Sequence, residues 1–165
     1  MADELCCRLL GDTHASERVL TVTVGQTPAS RRRQWEAHLA AEGFAAEFID
    51  IAAQTRSTAA TPADPSTSVR TLSDPTDLAT LGRTIGERVD AADGDLTLCL
   101  HSLSDLLQYV EQEAALQFCH TLSARVTDAG ATAHYHLDST LVDEETVALF
   151  STVTDRVLTS EDLAD

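Results

Sequence analysis

Length, composition and charge narrow the possible structures before any motif is considered. The 165 residues suffice for one domain, and an apolar fraction of 43% excludes a disordered chain. A net charge of −16, with one arginine cluster at Arg31-Arg32-Arg33, is unfavourable for binding a nucleic-acid backbone. No apolar run approaches the roughly 18 residues that a membrane-spanning helix needs, so we expect no membrane partner.

The acidity has an unusual form, because all 11 basic residues are arginine and lysine is absent. In molar salt the repulsion between carboxylates is screened within about 3 Å, while the carboxylates keep the surface hydrated. Arginine pairs with carboxylates well and depends less on hydration than lysine does. We therefore expect a protein from a salt-adapted organism. The first residues lack the basic and long apolar stretches of a signal peptide, which predicts a cytoplasmic location.

The first third of the chain predicts two strands on either side of a helix. The β-branched run that starts at Arg18 is ended by Gly25, and Pro28 and Ser30 open a helical stretch. The predicted elements are a short helix over residues 3–10, a strand over 18–24, a helix over 28–42 and a strand over 46–51.

Residues from about 53 to 72 have a different composition. They are rich in Ser, Thr, Ala and Pro and show no apolar period, which predicts a long loop. A loop of this length is either a functional flap or a mobile connector, and we favour the connector.

The remainder of the chain alternates between helical and strand patterns. Ser73-Asp74-Pro75 marks the start of a helix, and an AADGD turn ends it. The later predicted elements are a strand over 96–100, a helix around 106–110, a helix over 113–128, a strand over 131–137, a helix over 144–150 and a strand over 156–159. This alternation predicts one α/β domain over residues 1–165, with a mainly parallel sheet covered by helices on both faces in a three-layer α/β/α arrangement.

Four cysteines occur, at Cys6, Cys7, Cys99 and Cys119. None forms a C-x-x-C pair, and the adjacent Cys6 and Cys7 are poorly spaced for a disulfide or for zinc. The sequence therefore predicts buried, reduced thiols.

A second set of candidate ligands lies near the predicted strand ends. His134, His136 and Asp138 alternate, which places them on one side of a strand. His101 ends a strand that we expect to be a neighbour, so these four residues are a candidate site for zinc or iron. The alternative is a structural run whose imidazoles bind backbone or solvent. We favour that alternative, because H-x-H alone is a weak signal, and we predict no catalytic residue, metal or cofactor.

The serines that follow His101 raise the possibility of a nucleophile. Ser102 and Ser104 lie beside Asp105, but adjacent residues on one turn do not face one another as nucleophile and base. A glycine-flanked nucleophile elbow is also absent. Ser102 is therefore predicted to cap a helix.

Several short motifs between residues 73 and 159 resemble the RecA superfamily, and in particular the KaiC-like proteins of archaea. The resemblance is closest to an uncharacterised haloarchaeal RecA-like group. The residues that carry it are Ser73-Asp74-Pro75, Ser102-Leu103, Leu106–Val110, Gly130-Ala131 and Ala133–Asp138. It implies a RecA-type sheet in which the strand over 96–100 occupies the Walker B position.

Two departures from that family bear on function. The chain has no G-x-x-x-x-G-K-[ST] loop, and no lysine to reach a nucleotide's phosphates. His101 stands where active relatives carry the acidic residue that organises Mg²⁺. The resemblance thus implies a degenerate, truncated sheet that lacks the nucleotide-loop strand, which would lie between the strands over 131–137 and 156–159.

A missing strand leaves unpaired backbone groups, and unpaired strand edges seek partners. The sequence therefore predicts a non-catalytic RecA/KaiC-like regulatory or assembly protein that acts through a protein partner or as a homodimer. The alternative is a degenerate ATPase-like or metal-assisted enzyme that uses His101, His134, His136 and Asp138.

Overall fold

One parallel sheet organises the domain. A computed structural model describes residues 5–6, 8–9, 18–38, 45–51 and 68–163. The strands are β1 (Arg18–Val24), β2 (Ala45–Ile51), β3 (Ser68–Leu72), β4 (Thr97–His101) and β5 (Thr132–Tyr135). The helices are α1 (Pro28–His38), α2 (Leu78–Ala91), α3 (Leu103–Leu106), α4 (Gln112–Asp128) and α5 (Glu144–Ser151). All strand pairs are parallel, in the order β3-β2-β1-β4-β5, which coincides with the first five positions of a doubly wound sheet.

The face of the sheet beneath α2 and α4 is apolar. Successive residues of a strand point to opposite faces, so Leu98 and Leu100 of β4 point to the same side as Val22 of β1. They pack with Ile85 of α2 and Leu122 of α4 in one buried cluster. Burial of this apolar surface is the main source of the domain's stability.

The opposite face is covered by α1 and is more polar. Trp35 of α1 packs against Val19 and Phe48, and the Trp35 and Phe48 rings lie 5.6 Å apart. Beyond this small apolar contact, the buried side chains include Thr21 and Arg31. With helices on both faces, the structure confirms the predicted three-layer α/β arrangement.

One correction concerns the predicted loop over about 53–72, because its end forms β3. Ser68–Leu72 pairs in register with residues 47–51 of β2. The strand was missed because it lies at the edge of the sheet and its residues are largely exposed, so it has no apolar period. The rest of that prediction, residues 53–67, lies outside the described residues.

A second correction concerns the predicted strand over 156–159. These residues are non-regular chain leading into a 3-10 helix, Ser160–Leu163. Val157 is 54% exposed, so the two apolar residues of the run do not provide a buried strand face. The carboxylate of Asp162 instead accepts hydrogen bonds from the Thr159 backbone and hydroxyl, which favours the helical turn.

The other predicted elements are present with shifted bounds. The helix expected around 106–110 forms earlier, over Leu103–Leu106, because Ser102 caps it directly after β4. Helix α1 is described to His38, and the predicted continuation to residue 42 lies outside the described residues. The predicted helix over 3–10 is described only at residues 5–6 and 8–9, which are helical. Among the helices that the structure describes, none is both long and apolar enough to cross a membrane.

Candidate metal centre

The register between β4 and β5 brings three chemically active side chains together. Cys99 of β4 lies directly opposite His134 of β5. His136 follows two residues later, so it shares a side of the chain with His134. All three point away from the apolar cluster and toward the layer that contains α1.

A fourth side chain reaches the same place from the N-terminal segment. The Cys6 sulfur lies 3.8 Å from the Cys99 sulfur and 3.1 Å from His134 Nε2. The Cys99 sulfur lies 3.4 Å from His136 Nε2. The four ligand atoms all lie within 4.8 Å of one another. We call Cys6, Cys99, His134 and His136 the Cys2His2 cluster.

These separations can be compared with those of a tetrahedral zinc centre. Bonds of about 2.3 Å to sulfur and 2.0–2.1 Å to nitrogen place two sulfurs about 3.8 Å apart, and sulfur and nitrogen about 3.6 Å apart. The sulfur–sulfur distance in the cluster is 3.8 Å, and the sulfur–nitrogen distances are 3.1 and 3.4 Å. Small side-chain movements therefore suffice to seat one ion among the four atoms. Across the described ranges, no other group of three or more His, Cys, Asp or Glu side chains meets this condition.

Burial shapes the protonation of the ligands. Both Cys6 and Cys99 are 0% exposed. Burial also lowers the pKa of His136, with a smaller contribution from the charge on His134. His136 is therefore a neutral imidazole near pH 7, which is the form that binds metals.

The two thiols differ. Burial raises the pKa of Cys99, but a hydrogen bond from Cys6 and the charge of Arg31 lower it by more, so the net shift is downward. The hydrogen bond to Cys99, together with burial, raises the pKa of Cys6. Of the two thiols, Cys99 is thus the one whose surroundings favour the thiolate.

Arg31 supplies the positive charge next to Cys99. Its side chain is 0% exposed, and Nη2 lies 4.0 Å from the Cys99 sulfur. Nη1 donates to Gln34 Oε1 at 3.2 Å, and the guanidinium lies 5.7 Å from the centre of the Trp35 ring. A buried guanidinium is stable where anions, acceptors or aromatic faces surround it, and this position offers an amide oxygen, a thiol sulfur and an aromatic face.

The residues predicted from the sequence separate into two groups. His134 and His136 belong to the Cys2His2 cluster. The centre of the His101 ring lies 4.6 Å from that of the His136 ring, but the His101 nitrogens do not belong to the cluster. Asp138 is exposed, and its Oδ1 accepts from the backbone and hydroxyl of Thr140 at 2.8 and 2.7 Å. Asp138 therefore does not belong to the site.

The two cysteines of the cluster were missed by the sequence analysis. Cys99 had a usable signal, because it alternates with His101 and so points away from Leu98 and Leu100. Its alignment with His134 depends on strand register, which the sequence does not give. Cys6 carries no local signal, since it lies 93 residues before Cys99 and joins the site only through tertiary contact.

The serines after β4 have structural roles. Ser102 caps α3, because its Oγ accepts from the Asp105 backbone N–H at 3.1 Å, as the sequence predicted. Its hydroxyl donates to the Asp105 carboxylate at 2.6 Å. The Ser104 Oγ accepts from the backbone N–H of Asp138 at 2.6 Å. These contacts hold the β4–α3 turn and the end of β5 together.

The fold and the cluster together define a three-layer α/β domain with a Cys2His2 cluster of two buried cysteines and two half-buried histidines. A family model matches residues 1–160, so the chain belongs to the family of unknown function DUF7504. No curated protein matches the chain at a significant level. The family description names no activity, so the RecA-like resemblance stays a prediction.

Proposed function

We propose that this domain is a non-catalytic metal-binding protein that binds one zinc ion, or a similar divalent transition-metal ion, at the Cys2His2 cluster. The observation that supports it is the convergence of two sulfur and two nitrogen donors within 4.8 Å of one another. Mixed sulfur and imidazole ligands in a tetrahedral arrangement favour zinc among the common divalent ions.

The ligand set argues for a structural or regulatory ion. Catalytic zinc sites keep three protein ligands and one open position, whereas structural sites fill all four positions with side chains. Here four side chains are available and both thiols are fully buried. The lack of lysine, and so of a phosphate-binding loop, also favours a non-catalytic role over an ATPase-like enzyme.

The ion would join the N-terminal segment to the β4–β5 side of the sheet. Cys6 belongs to that segment, whereas the other three ligands come from β4, β5 and the residue that follows β5. Metal binding to such a site is coupled to folding, because the ligands are scattered in the unfolded chain. We expect the metal to stabilise the packing of residues near Cys6 against β4 and β5.

A cobalt titration tests this proposal. Metal-free protein, kept reduced in concentrated potassium chloride, is titrated with Co²⁺ and then with Zn²⁺. We expect one Co²⁺ per chain, with the absorption of a tetrahedral, thiolate-bound ion, and displacement of cobalt by zinc. Cys99→Ala should abolish the signal. Cys119→Ala is the matched control, because Cys119 is also buried but lies in the apolar cluster. Equal binding by the two variants would contradict the proposal.

A second proposal concerns partners, and an observation at β5 favours it. Within the residues that the structure describes, β5 pairs only with β4, so its outer edge has no strand neighbour. We propose that this edge is where a RecA/KaiC-like regulatory or assembly protein of a haloarchaeal cytoplasm contacts a protein partner or a second copy. The net charge of −16 opposes nucleic acid as the partner.

The proposed role of the outer β5 edge in partner contact can be tested by removing one of its backbone hydrogen-bond donors. The N–H groups of Thr132 and His136 donate to the carbonyls of Leu96 and Leu100, so in a parallel strand the N–H of Ala133 points to the outer edge. Ala133→Pro removes that donor without breaking the β4–β5 bonds. Sedimentation in high salt should show dimers of the parent chain and monomers of the variant, with unchanged circular dichroism. A parent chain that is monomeric and captures no protein on a column of native-salt lysate would refute this proposal.

A further inference from the structure

The two cysteines of the cluster are also placed as a pair that can be oxidised. Resting on the proposed metal function, we propose that Cys6 and Cys99 form a disulfide when the ion is absent and a peroxide is present. Metal and disulfide would then be alternative occupants of one site, and the metal content of the domain would depend on redox conditions.

The geometry requires only a short movement. The two sulfurs are 3.8 Å apart and face one another at the centre of the cluster. A disulfide bond is about 2.05 Å long, so the sulfurs must approach by about 1.8 Å. Cys99 lies in β4, which pairs with a strand on each side, whereas Cys6 lies outside the sheet.

The surroundings make the two sulfurs unequal. Arg31 Nη2 lies 4.0 Å from Cys99. His136 Nε2 lies 3.4 Å from the Cys99 sulfur, but His136 also interacts with Cys6, so the difference comes from Arg31. His134 Nε2 lies 3.1 Å from Cys6. A positive neighbour stabilises a thiolate, and the thiolate is the form that attacks peroxides. The geometry assigns the role of nucleophile to Cys99 and the role of resolving thiol to Cys6.

The chemistry proceeds in two balanced steps. The Cys99 thiolate attacks one oxygen of hydrogen peroxide, the O–O bond breaks, and hydroxide leaves, giving a sulfenic acid on Cys99. The Cys6 sulfur then attacks the Cys99 sulfur, the S–O bond breaks, and the leaving hydroxyl takes the Cys6 proton to form water. Two electrons pass from the two sulfurs to the peroxide.

Oxidation has a direct consequence for the ion. A disulfide leaves only His134 and His136 as ligands, and two imidazoles hold zinc far more weakly than a complete Cys2His2 set. A thiol reductant restores both cysteines and thus the site. Bound zinc should in turn protect the thiols, because their sulfur lone pairs are engaged with the ion.

The chain offers a matched control for this reactivity. Cys119 is buried in the apolar cluster, and burial raises its pKa to about 12. A thiol without a stabilising positive charge reacts slowly with peroxide. A chain with Cys7→Ser and Cys119→Ala retains only the two cysteines of the pair, which makes the product unambiguous.

The experiment treats this two-cysteine chain, stripped of metal, with hydrogen peroxide and follows free thiols and intact mass. We expect both thiols to disappear, a mass decrease of about 2 Da, and recovery by dithiothreitol. Zinc-loaded protein should lose its thiols at least about 10-fold more slowly. Cys6→Ser in the same background should instead gain about 16 Da or more, because the sulfenic acid has no resolving thiol.

Two outcomes separate this proposal from the metal proposal. Addition of oxygen to the two-cysteine chain, with no loss of two hydrogens, would overturn the disulfide whatever the zinc result. Failure of the reduced chain to bind zinc would overturn the metal function, while the mass measurement would still decide whether the pair forms a disulfide. Equal oxidation rates with and without bound zinc would refute the proposal that the metal and the disulfide exclude one another at this site.

Discussion

The two faces of the sheet differ in the side chains that pack against the helices, which are apolar on one face and largely polar on the other. On the face beneath α2 and α4, β4 contributes Leu98 and Leu100 to a continuous apolar cluster. On the opposite face the same strand contributes Thr97, Cys99 and His101. We call the first the apolar face and the second the polar face. Apolar packing needs no further partner, whereas buried polar groups are costly unless each finds one.

The residues of the larger apolar cluster therefore lie on one face of the sheet, and the candidate metal ligands lie on the other. Thr21, Thr23 and Arg31 are fully buried on the polar face, beside the two cysteines of the cluster. A domain that needed only stability would place apolar residues there. The polar face thus carries the four candidate ligands, and the apolar face contains the larger buried apolar cluster.

The largest expected effect is a loss of zinc affinity when a proposed ligand is replaced, compared with the replacement of a neighbouring side chain. His134→Ala should weaken zinc binding by at least about 1,000-fold, because it removes one of four ligands. His101→Ala should weaken it by at most about 10-fold, since the His101 ring contacts the ring of His136 but its nitrogens do not belong to the group of four ligand atoms. Asp138→Asn is the control and should change nothing. Competition with a zinc-binding dye measures all three, and a larger loss for His101 than for His134 would assign the ligands differently.

A mutation on the apolar face should act on stability alone. Leu98 is 0% exposed, so Leu98→Ala should lower the free energy of unfolding by about 2–5 kcal/mol, through lost burial and a new cavity. Urea denaturation of the zinc-loaded protein measures this. The folded variant should still bind one zinc per chain. A variant that folds but binds no zinc would show that the two faces are not separable.

An intermediate effect is expected at Arg31, which links α1 to the cluster. Arg31→Met removes the positive charge that lowers the pKa of Cys99, so less thiolate is present at a given pH. Zinc then competes with more protons, and its affinity near pH 7 should fall by about 10–100-fold. The deficit should shrink as the pH rises, because both proteins then carry the thiolate. A deficit that is independent of pH would indicate lost packing instead.

The smallest expected effect lies far from both faces, at the start of α5. Hydrogen bonds from the Thr146 hydroxyl and backbone lower the pKa of Asp143, which caps the helix. Its contribution to stability is therefore present above the ordinary aspartate pKa and is lost as the pH falls below it. Asp143→Ala should lower the melting temperature by a few degrees near pH 7 and by less near about pH 3. Zinc content should not change.

The sequence predicted local features well and tertiary ones poorly. The alternation of Leu98, Leu100, His134 and His136 gave strands and faces, because side-chain period is a property of the chain itself. The pairing of Cys99 with His134 depends on register, and the arrival of Cys6 depends on the path of a distant segment. Strand β3 was missed because an exposed edge strand has no apolar pattern, and the strand predicted over 156–159 was wrong because two apolar residues do not suffice.

X-ray absorption at the zinc edge of the reduced, zinc-loaded protein tests the central claim most directly. We expect two sulfurs at about 2.3 Å and two nitrogens at about 2.0–2.1 Å, with imidazole scattering beyond them. A first shell made of oxygen, or a protein that loses its zinc on simple dialysis, would contradict a Cys2His2 centre on the polar face.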